Sequence, residues 1–452
     1  MKPAIALLLC LAGQGATWAG NFQQSYEAAL QSDPTLQAAR AELASVQQKV
    51  PMARAGLLPN LALSLSDAQV NGTRSRDLPN GGSISEPLDY RAPFSSLTLR
   101  APLYNREAWQ NLEVARAQVS YANAVFVARN ADLVDRLANA YFQRLLAERG
   151  VLAARAQLDS AQAQYESARR RLQLGEGARP EVVEAEASLD MARSQLVEAQ
   201  NQVSVTRLAL RQITGVDQES LPPVDGELLA QPHWLRPPGP TQSLAELLEK
   251  AYADSPRIIA RKFAVAQAQA TVARNGAGHY PRLDLVASAT AGLNESIATL
   301  NQSSNQRSLG VQLNLPIYSG GYTNASVTQA LADQDRAEAE LAAEQHLLAR
   351  ELTKLYLTVT NGPVKLQAYQ KAVASATLAL EGTRKGLPTG FTTQADVALA
   401  QRKLAQARSD LDEAVYDYLL TRVRLMVRTG AEPAEVAMQL DALLTAPARR
   451  TP

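Results

Sequence analysis

Leu309-Gly310-Val311-Gln312-Leu313-Asn314-Leu315-Pro316-Ile317-Tyr318 places an apolar side chain at every second position. Period two marks a strand with one apolar face. Three more segments read the same way: Leu61, Leu63 and Leu65; Leu97, Leu99, Ala101 and Leu103; Leu283, Leu285, Ala287 and Ala289, each interleaved with mainly polar or small residues. Strands of about nine to eleven residues with this alternation suit a barrel that has lipid outside and water inside. A half-buried soluble sheet is the plainer alternative. Tyr104, Tyr280, Tyr318 and Tyr322 stand near the strand ends, where interfacial aromatics belong. The polar segments Asp67 to Pro93 and Asn294 to Arg307 between paired strands read as surface loops.

These strands belong to a unit written twice. Asp33-Pro34 matches Ser255-Pro256 and Leu58-Pro59-Asn60-Leu61 matches Tyr280-Pro281-Arg282-Leu283 at an offset of 222, while Leu137 to Gly215 matches Leu352 to Gly430 at 215. Length differences confined to one stretch mark it as a loop. The resulting division is a first repeat over 20–215, a connector over 216–242 with Pro222, Pro223, Pro232, Pro237, Pro238 and Pro240, a second repeat over 243–430 and a tail over 431–452. Such proline content makes an extended strap.

Between the strand pairs run heptads. Leu352, Val359, Leu366, Val373, Leu380 and Leu387 fall seven apart, and Leu137, Val151, Leu158, Tyr165 and Leu172 repeat them in the first half, with Arg144 the one departure. A strict seven-residue apolar repeat keeps one seam facing a partner and imposes a left-handed supercoil. Little interrupts a helix from Tyr104 to Leu172 or from Tyr318 to Leu387 except Gly362-Pro363.

Lys2, an apolar run from Ala4 to Ala12 and a small-residue end at Ala19 have the order of a secretory leader, expected to occupy 1–19. The only cysteine, Cys10, lies inside it, so the mature chain carries no thiol and suits an oxidising compartment. Its 44 basic and 44 acidic side chains cancel, which offers nothing to nucleic acid. His233, His279 and His346 are scattered without metal-ligand spacing, so neither a metal site nor a cofactor is expected. No recognisable motif places an acid, base or nucleophile for an enzyme.

Gly175-Glu176-Gly177 lacks the preceding strand and following Gly-Lys of a phosphate loop and reads as a turn between helices, matched by Gly386 to Gly390. Glu181 and Asp396 each follow their turn glycine by six residues. Each is either a helix N-terminal acid that favours the dipole or part of a pore constriction.

The duplicated unit, Leu-Pro before the first strand, Pro-x-Tyr at the end of the second, heptad helices and the pattern Ala407-x-x-Asp410-Leu411-x-x-Ala414-x-Tyr416-x-Tyr418-Leu419 together resemble the TolC family of outer-membrane export channels. The likeness covers nearly all of the chain after the leader. It implies a mixed α and membrane-β fold: a homotrimer in which each chain gives four strands to a barrel in outer-membrane lipid, continued by a coiled-coil periplasmic tunnel. It implies a periplasmic adaptor of the membrane-fusion kind and an inner-membrane ABC or proton-driven transporter as partners, in a Gram-negative bacterium. The helical hairpin tips, here Leu174, Gly175, Gly177, Thr389, Gly390 and Thr392, would contact the adaptor, and Asp396, with Glu181, would line the pore entrance. The family's second constricting acid corresponds to Leu399, and its arginine after the turn glycine to Gly177 and Thr392. The stretch Tyr26-Glu27-Ala28-Ala29-Leu30 to Leu57-Leu58-Pro59 is similar to the type I protein-secretion branch, with a multidrug or metal efflux channel as the alternative.

Overall fold

The computed structural model describes residues 21–79, 81–219, 221, 243–294, 296, 299–387 and 390–445. The expected leader, most of the proline-rich connector and Thr389 lie outside the described residues. The elements run α1 (Phe22–Ser32), α2 (Pro34–Gln47), α3 (Lys49–Ala55), β1 (Asn60–Asp77), β2 (Ser83–Asn105), α4 (Arg106–Gln173), α5 (Arg179–Thr214), α6 (Leu244–Asp254), α7 (Pro256–Gly276), β3 (Arg282–Leu293), β4 (Ser303–Asn314), α8 (Tyr322–Gly386), α9 (Gln394–Arg428) and α10 (Pro433–Thr445). They fall into two compact units, Met1–Arg40 with Phe126–Ile258 and Gln345–Pro452, and Ala41–Val125 with Ile259–Glu344. Each unit draws on both halves of the sequence.

The second unit holds one antiparallel sheet in the order β1-β2-β3-β4. Its register brings the alternating residues into rows: Leu61 faces Leu99, which faces Ala287, which faces Leu309; Ala101, Leu285 and Val311 form another. Residues directly opposite share a face, so four apolar runs fuse into one continuous apolar face. The reverse face carries Thr98, Ser288 and Ser308 in one row and an Arg100–Asp284 ion pair at 2.7 Å. Glu107, on the first turn of α4, pairs with Arg282 at the start of β3.

Three expectations fail here. The segment from Asp67 to Pro93 is not a loop: β1 and β2 stay paired out to Asp77 and Ser83 as a two-stranded ribbon. Its alternation was hidden by polar residues and by Pro87 and Pro93, which β2 tolerates because past Phe94 no strand pairs with its other side. Conversely β4 stops at Asn314, and Ile317 is 94% exposed beyond Pro316. The segment expected as a loop from Asn294 to Arg307 is strand from Ser303 onward, and the hairpin closes between Leu293 and Ser303, with Asn294 and Asn301 at positive φ and the Asn294 side-chain oxygen accepting from the Asn301 N–H.

In the first unit the heptads become helical seams. Leu158 and Tyr165 of α4 pack on Leu189 and Ala192 of α5 around buried Ala161; Val373, Ala376 and Leu380 of α8 pack on Val397, Ala400 and Leu404 of α9. Gly362-Pro363 does not end the helix: α8 runs through it. The glycine is needed for packing, because a Cβ at 362 would lie 2.3 Å from the Tyr418 ring of α9. Phe22, Tyr141, Phe142 and Tyr416 form a chain of ring contacts at 5.4, 6.2 and 5.6 Å, drawing α1, α4 and α9 into one core. Burial pushes the Tyr416 hydroxyl up to about 12.

Arg144, the departure from the heptads, is 3% exposed. It donates to the carbonyls of Val203 (2.7 Å) and Glu219 (3.2 Å) and pairs with Glu148 at 2.8 Å, fastening α5 and the chain that follows it to α4. Gly215 and Gly430, the equivalent helix-ending glycines, sit at φ +70 and +82, and a Cβ on either would come within 2.7 Å of Ser32 or Asp254.

Candidate channel entrance

The two helical hairpins of the first unit end in turns of the same construction. In the first, the Gly175 N–H donates to Leu172 O and the Glu176 N–H reaches back five residues to Arg171 O; in the second, Gly390 donates to Leu387 O and Phe391 to Gly386 O. These bonds satisfy carbonyls that a helix end leaves open. Each requires a left-handed residue, and Gly175 and Gly390 supply it at φ +78 and +76. Gly177 is small for another reason, since a Cβ there would crowd Arg171 and the Leu172 nitrogen at 3.1 Å. Thr392 donates its hydroxyl hydrogen to Thr383 O at 2.7 Å, tying the chain beyond the turn to α8.

The acidic residues differ between the copies. Asp396 closes a capping box through one carboxylate oxygen: the Thr393 N–H donates to it at 2.8 Å, the Thr393 hydroxyl donates to it at 2.7 Å, and the Asp396 N–H donates to Thr393 Oγ1 at 3.2 Å. Those bonds hold the Asp396 carboxyl below its ordinary range, the Thr393 backbone N–H contributing most. Glu181 has no such cap and pairs with Arg171 at 3.2 Å, with both side chains more than two-fifths exposed. An ion pair so wet contributes little. Basic residues occupy the last turns leading into the tips, Arg170 and Arg171 on α4 and Arg384 and Lys385 on α8, which complements the helix dipoles.

Leu174 at the first tip is 74% exposed and Phe391 at the second is 90% exposed. Phe391 escaped the sequence reading because the matching position is Glu176, so duplication pointed away from an aromatic there. Its signal was present in the chain, as one of only six phenylalanines standing beside a turn glycine.

A family model described as "Outer membrane efflux protein" matches residues 25–216 and 247–431. The proteases secretion protein PrtF of Dickeya chrysanthemi is 30% identical over 446 residues, covering 97% of this chain and 94% of its own. The outer membrane protein TolC of Vibrio cholerae is 28% identical over 94% of each chain. The solved outer membrane protein VceC from Vibrio cholerae superposes with a TM-score of 0.72 at 18% identity, covering 91% of this chain and 96% of that one. The chain belongs to the outer membrane efflux protein family, the TolC family of outer-membrane export channels.

Proposed function

We propose that this chain is the outer-membrane passage of a three-part protein-secretion system, receiving its substrate from an inner-membrane transporter and a periplasmic adaptor. The family's members are outer-membrane channels, and the chain is an outer-membrane protein of a Gram-negative bacterium that extends into the periplasm. In this reading three copies close one twelve-stranded barrel, and catalysis has no part. The chain is organised as leader 1–19, first repeat 20–215, connector 216–242, second repeat 243–430 and tail 431–452.

The observation that carries the reading is the sheet. Its apolar run centres on Leu63 in β1 and on Val311 in β4, a slide of about four residues, or roughly 14 Å, across three strand spacings that also total roughly 14 Å. An apolar band crossing the strands at about 45° is what tilted barrel strands present to a bilayer. Both edge strands are long and unpaired in a single chain, and an open edge is not tolerated in lipid. Neighbouring copies supply the missing pairs. Protein cargo is preferred because a relative matched over nearly its full length is a proteases secretion protein.

The test is a clean deletion, scored for proteins lost from the culture supernatant and, in parallel, for sensitivity to drugs and divalent metals. Loss of one or more secreted proteins with unchanged sensitivity is expected. Unchanged secretion with heightened sensitivity would assign the chain to an efflux pump instead.

A further inference from the structure

The sheet's two faces exchange character where the ribbon begins. Within the band, Leu61, Leu63 and Leu65 with Leu97, Leu99 and Ala101 make one face apolar, while Ala62, Ser64, Ser96 and Thr98 make the other small and polar. From Ser66 and Phe94 outward the pattern inverts. The continuation of the apolar face becomes Asp67, Gln69, Asn71 and Thr73, opposite Pro93, Arg91, Asp89 and Pro87. Asp67 pairs with Arg91, Gln69 bonds to Asp89, and all four of these side chains are exposed. The continuation of the polar face becomes Phe94, Ala68 with Ala92, Val70 with Tyr90, and Gly72 with Leu88, ending at Arg74 opposite Glu86. On it Val70, Leu88, Tyr90, Ala92 and Phe94 are each half-buried within the one chain.

Side chains alternate strictly along paired strands, so a face keeps its identity through the change. If the band faces lipid, the ribbon's apolar stripe stands above the lumen and is turned toward the axis the copies share. A two-stranded ribbon cannot cover such a stripe alone. A twelve-stranded barrel at this tilt has a backbone radius of roughly 12 Å, so a modest inward lean of a ribbon about 40 Å long brings equivalent stripes within reach of one another. Lipid is on the wrong side, and the outward face is polar and wet.

We propose that the occupant of this stripe is the same stripe of the neighbouring copies: three ribbons pack through Val70, Leu88, Tyr90 and Phe94 across the axis and form an apolar constriction over the outer mouth of the barrel, which cargo parts as it leaves. The inference rests on the trimer and the lipid-facing band of the proposed function.

The experiment is cysteine cross-linking in the intact chain, whose leader holds its only natural thiol. Tyr90→Cys and Gln69→Cys lie on opposite faces of the ribbon, one residue out of register. Cells making either variant are treated with a short bismaleimide, and trimer is checked in parallel by native electrophoresis. Tyr90→Cys is expected to give a cross-linked dimer band at least about fivefold stronger than Gln69→Cys, as positions near and away from a threefold axis require. Intact trimer with no cross-link at Tyr90→Cys, or with equal cross-linking at both, overturns the constriction and leaves the trimer standing. Absence of trimer in both variants and the parent overturns the trimer together with the constriction.

Discussion

Asp33 shows how one side chain fixes a helix start and a tertiary contact together. It accepts from the Leu36 N–H at 3.0 Å as the N-cap of a helix that begins with Pro34, and its two oxygens take both terminal nitrogens of Arg136 at 3.2 and 2.7 Å. Burial pushes its carboxyl up, but the bonds from Arg136, Thr35 and Leu36 together outweigh that and hold it below its ordinary value of 3.8. A depressed folded value means that the unfolded chain takes up the proton first. The stabilisation is therefore complete above the unfolded value and is lost as pH falls through the folded one. Asp33→Asn should cost about 1.5–3 kcal/mol at pH 7, since a charged hydrogen-bond acceptor is removed from a buried site, and the difference from the parent should shrink below about pH 4 in denaturant titrations. The pore reading of Asp396 is tested at the same scale. Three carboxylates at a constriction should bind cations, so Asp396→Asn should lower cation selectivity and block by multivalent cations in planar-bilayer recordings, with a smaller effect from Glu181→Gln. Thr393→Ala removes the hydroxyl half of the capping box while keeping the charge, and should cost about 1 kcal/mol with conductance unchanged. If Asp396→Asn instead matches the parent in selectivity and block and loses only stability, the carboxylate is a cap and nothing more.

Among the elements the sheet makes the sharpest demand, because one face must be dry and the other wet. Leu313 lies on the apolar face beside Leu283, and Asn314 on the other beside Arg282. Leu313→Arg should cost roughly 2–4 kcal/mol where that face meets the middle of the hydrocarbon, seen as lost heat-modifiable trimer, while Asn314→Arg should assemble normally. Equal tolerance would place the strand outside the membrane or reverse its faces. These strand cores were legible because alternation is a local signal, and so were the helical seams, whose Leu158, Val373, Leu380 and Leu404 recur at heptad spacing. Three features were not. The β1–β2 ribbon has its apolar residues on the face opposite to the band's, so a reader following one face sees only polar loop. Gly362-Pro363 signals a break locally, whereas the glycine answers to the Tyr418 ring on another helix. The reason for Arg144 lies in carbonyls 59 and 75 residues away. At the tips, glycine turns and first-turn acids could be placed from spacing, but the Asp396 capping box and the exposed Phe391 depend on side-chain geometry that spacing does not carry.

At the scale of the whole molecule, four strands are the decisive number. A four-stranded sheet can neither close on itself nor leave its edges open in lipid, since each unsatisfied backbone group there costs several kcal/mol. The edges here are β1, eighteen residues long, and β4, twelve residues long. In the proposed trimer strands from other copies satisfy them, and a barrel of three such sheets would satisfy every edge with one kind of seam, β4 of one copy against β1 of the next. That arrangement is heterologous but closes under rotation, which distinguishes it from an open fibre. Such a seam would span the membrane and exchange no backbone bond for water until the barrel opened, so dissociation of the proposed trimer should be slow. The purified chain is accordingly expected to run as a trimer in mild detergent, and to persist as one in SDS until it is heated. Pro substitution in the middle of β4, Val311→Pro, removes a donor from a strand with β3 on one side and, in the proposed trimer, the seam on the other. It should abolish the SDS-resistant form while leaving helix content by circular dichroism close to that of the parent. A monodisperse monomer of the unsubstituted chain, with no higher species on cross-linking in cells, would mean that the four strands find their partners in some other way.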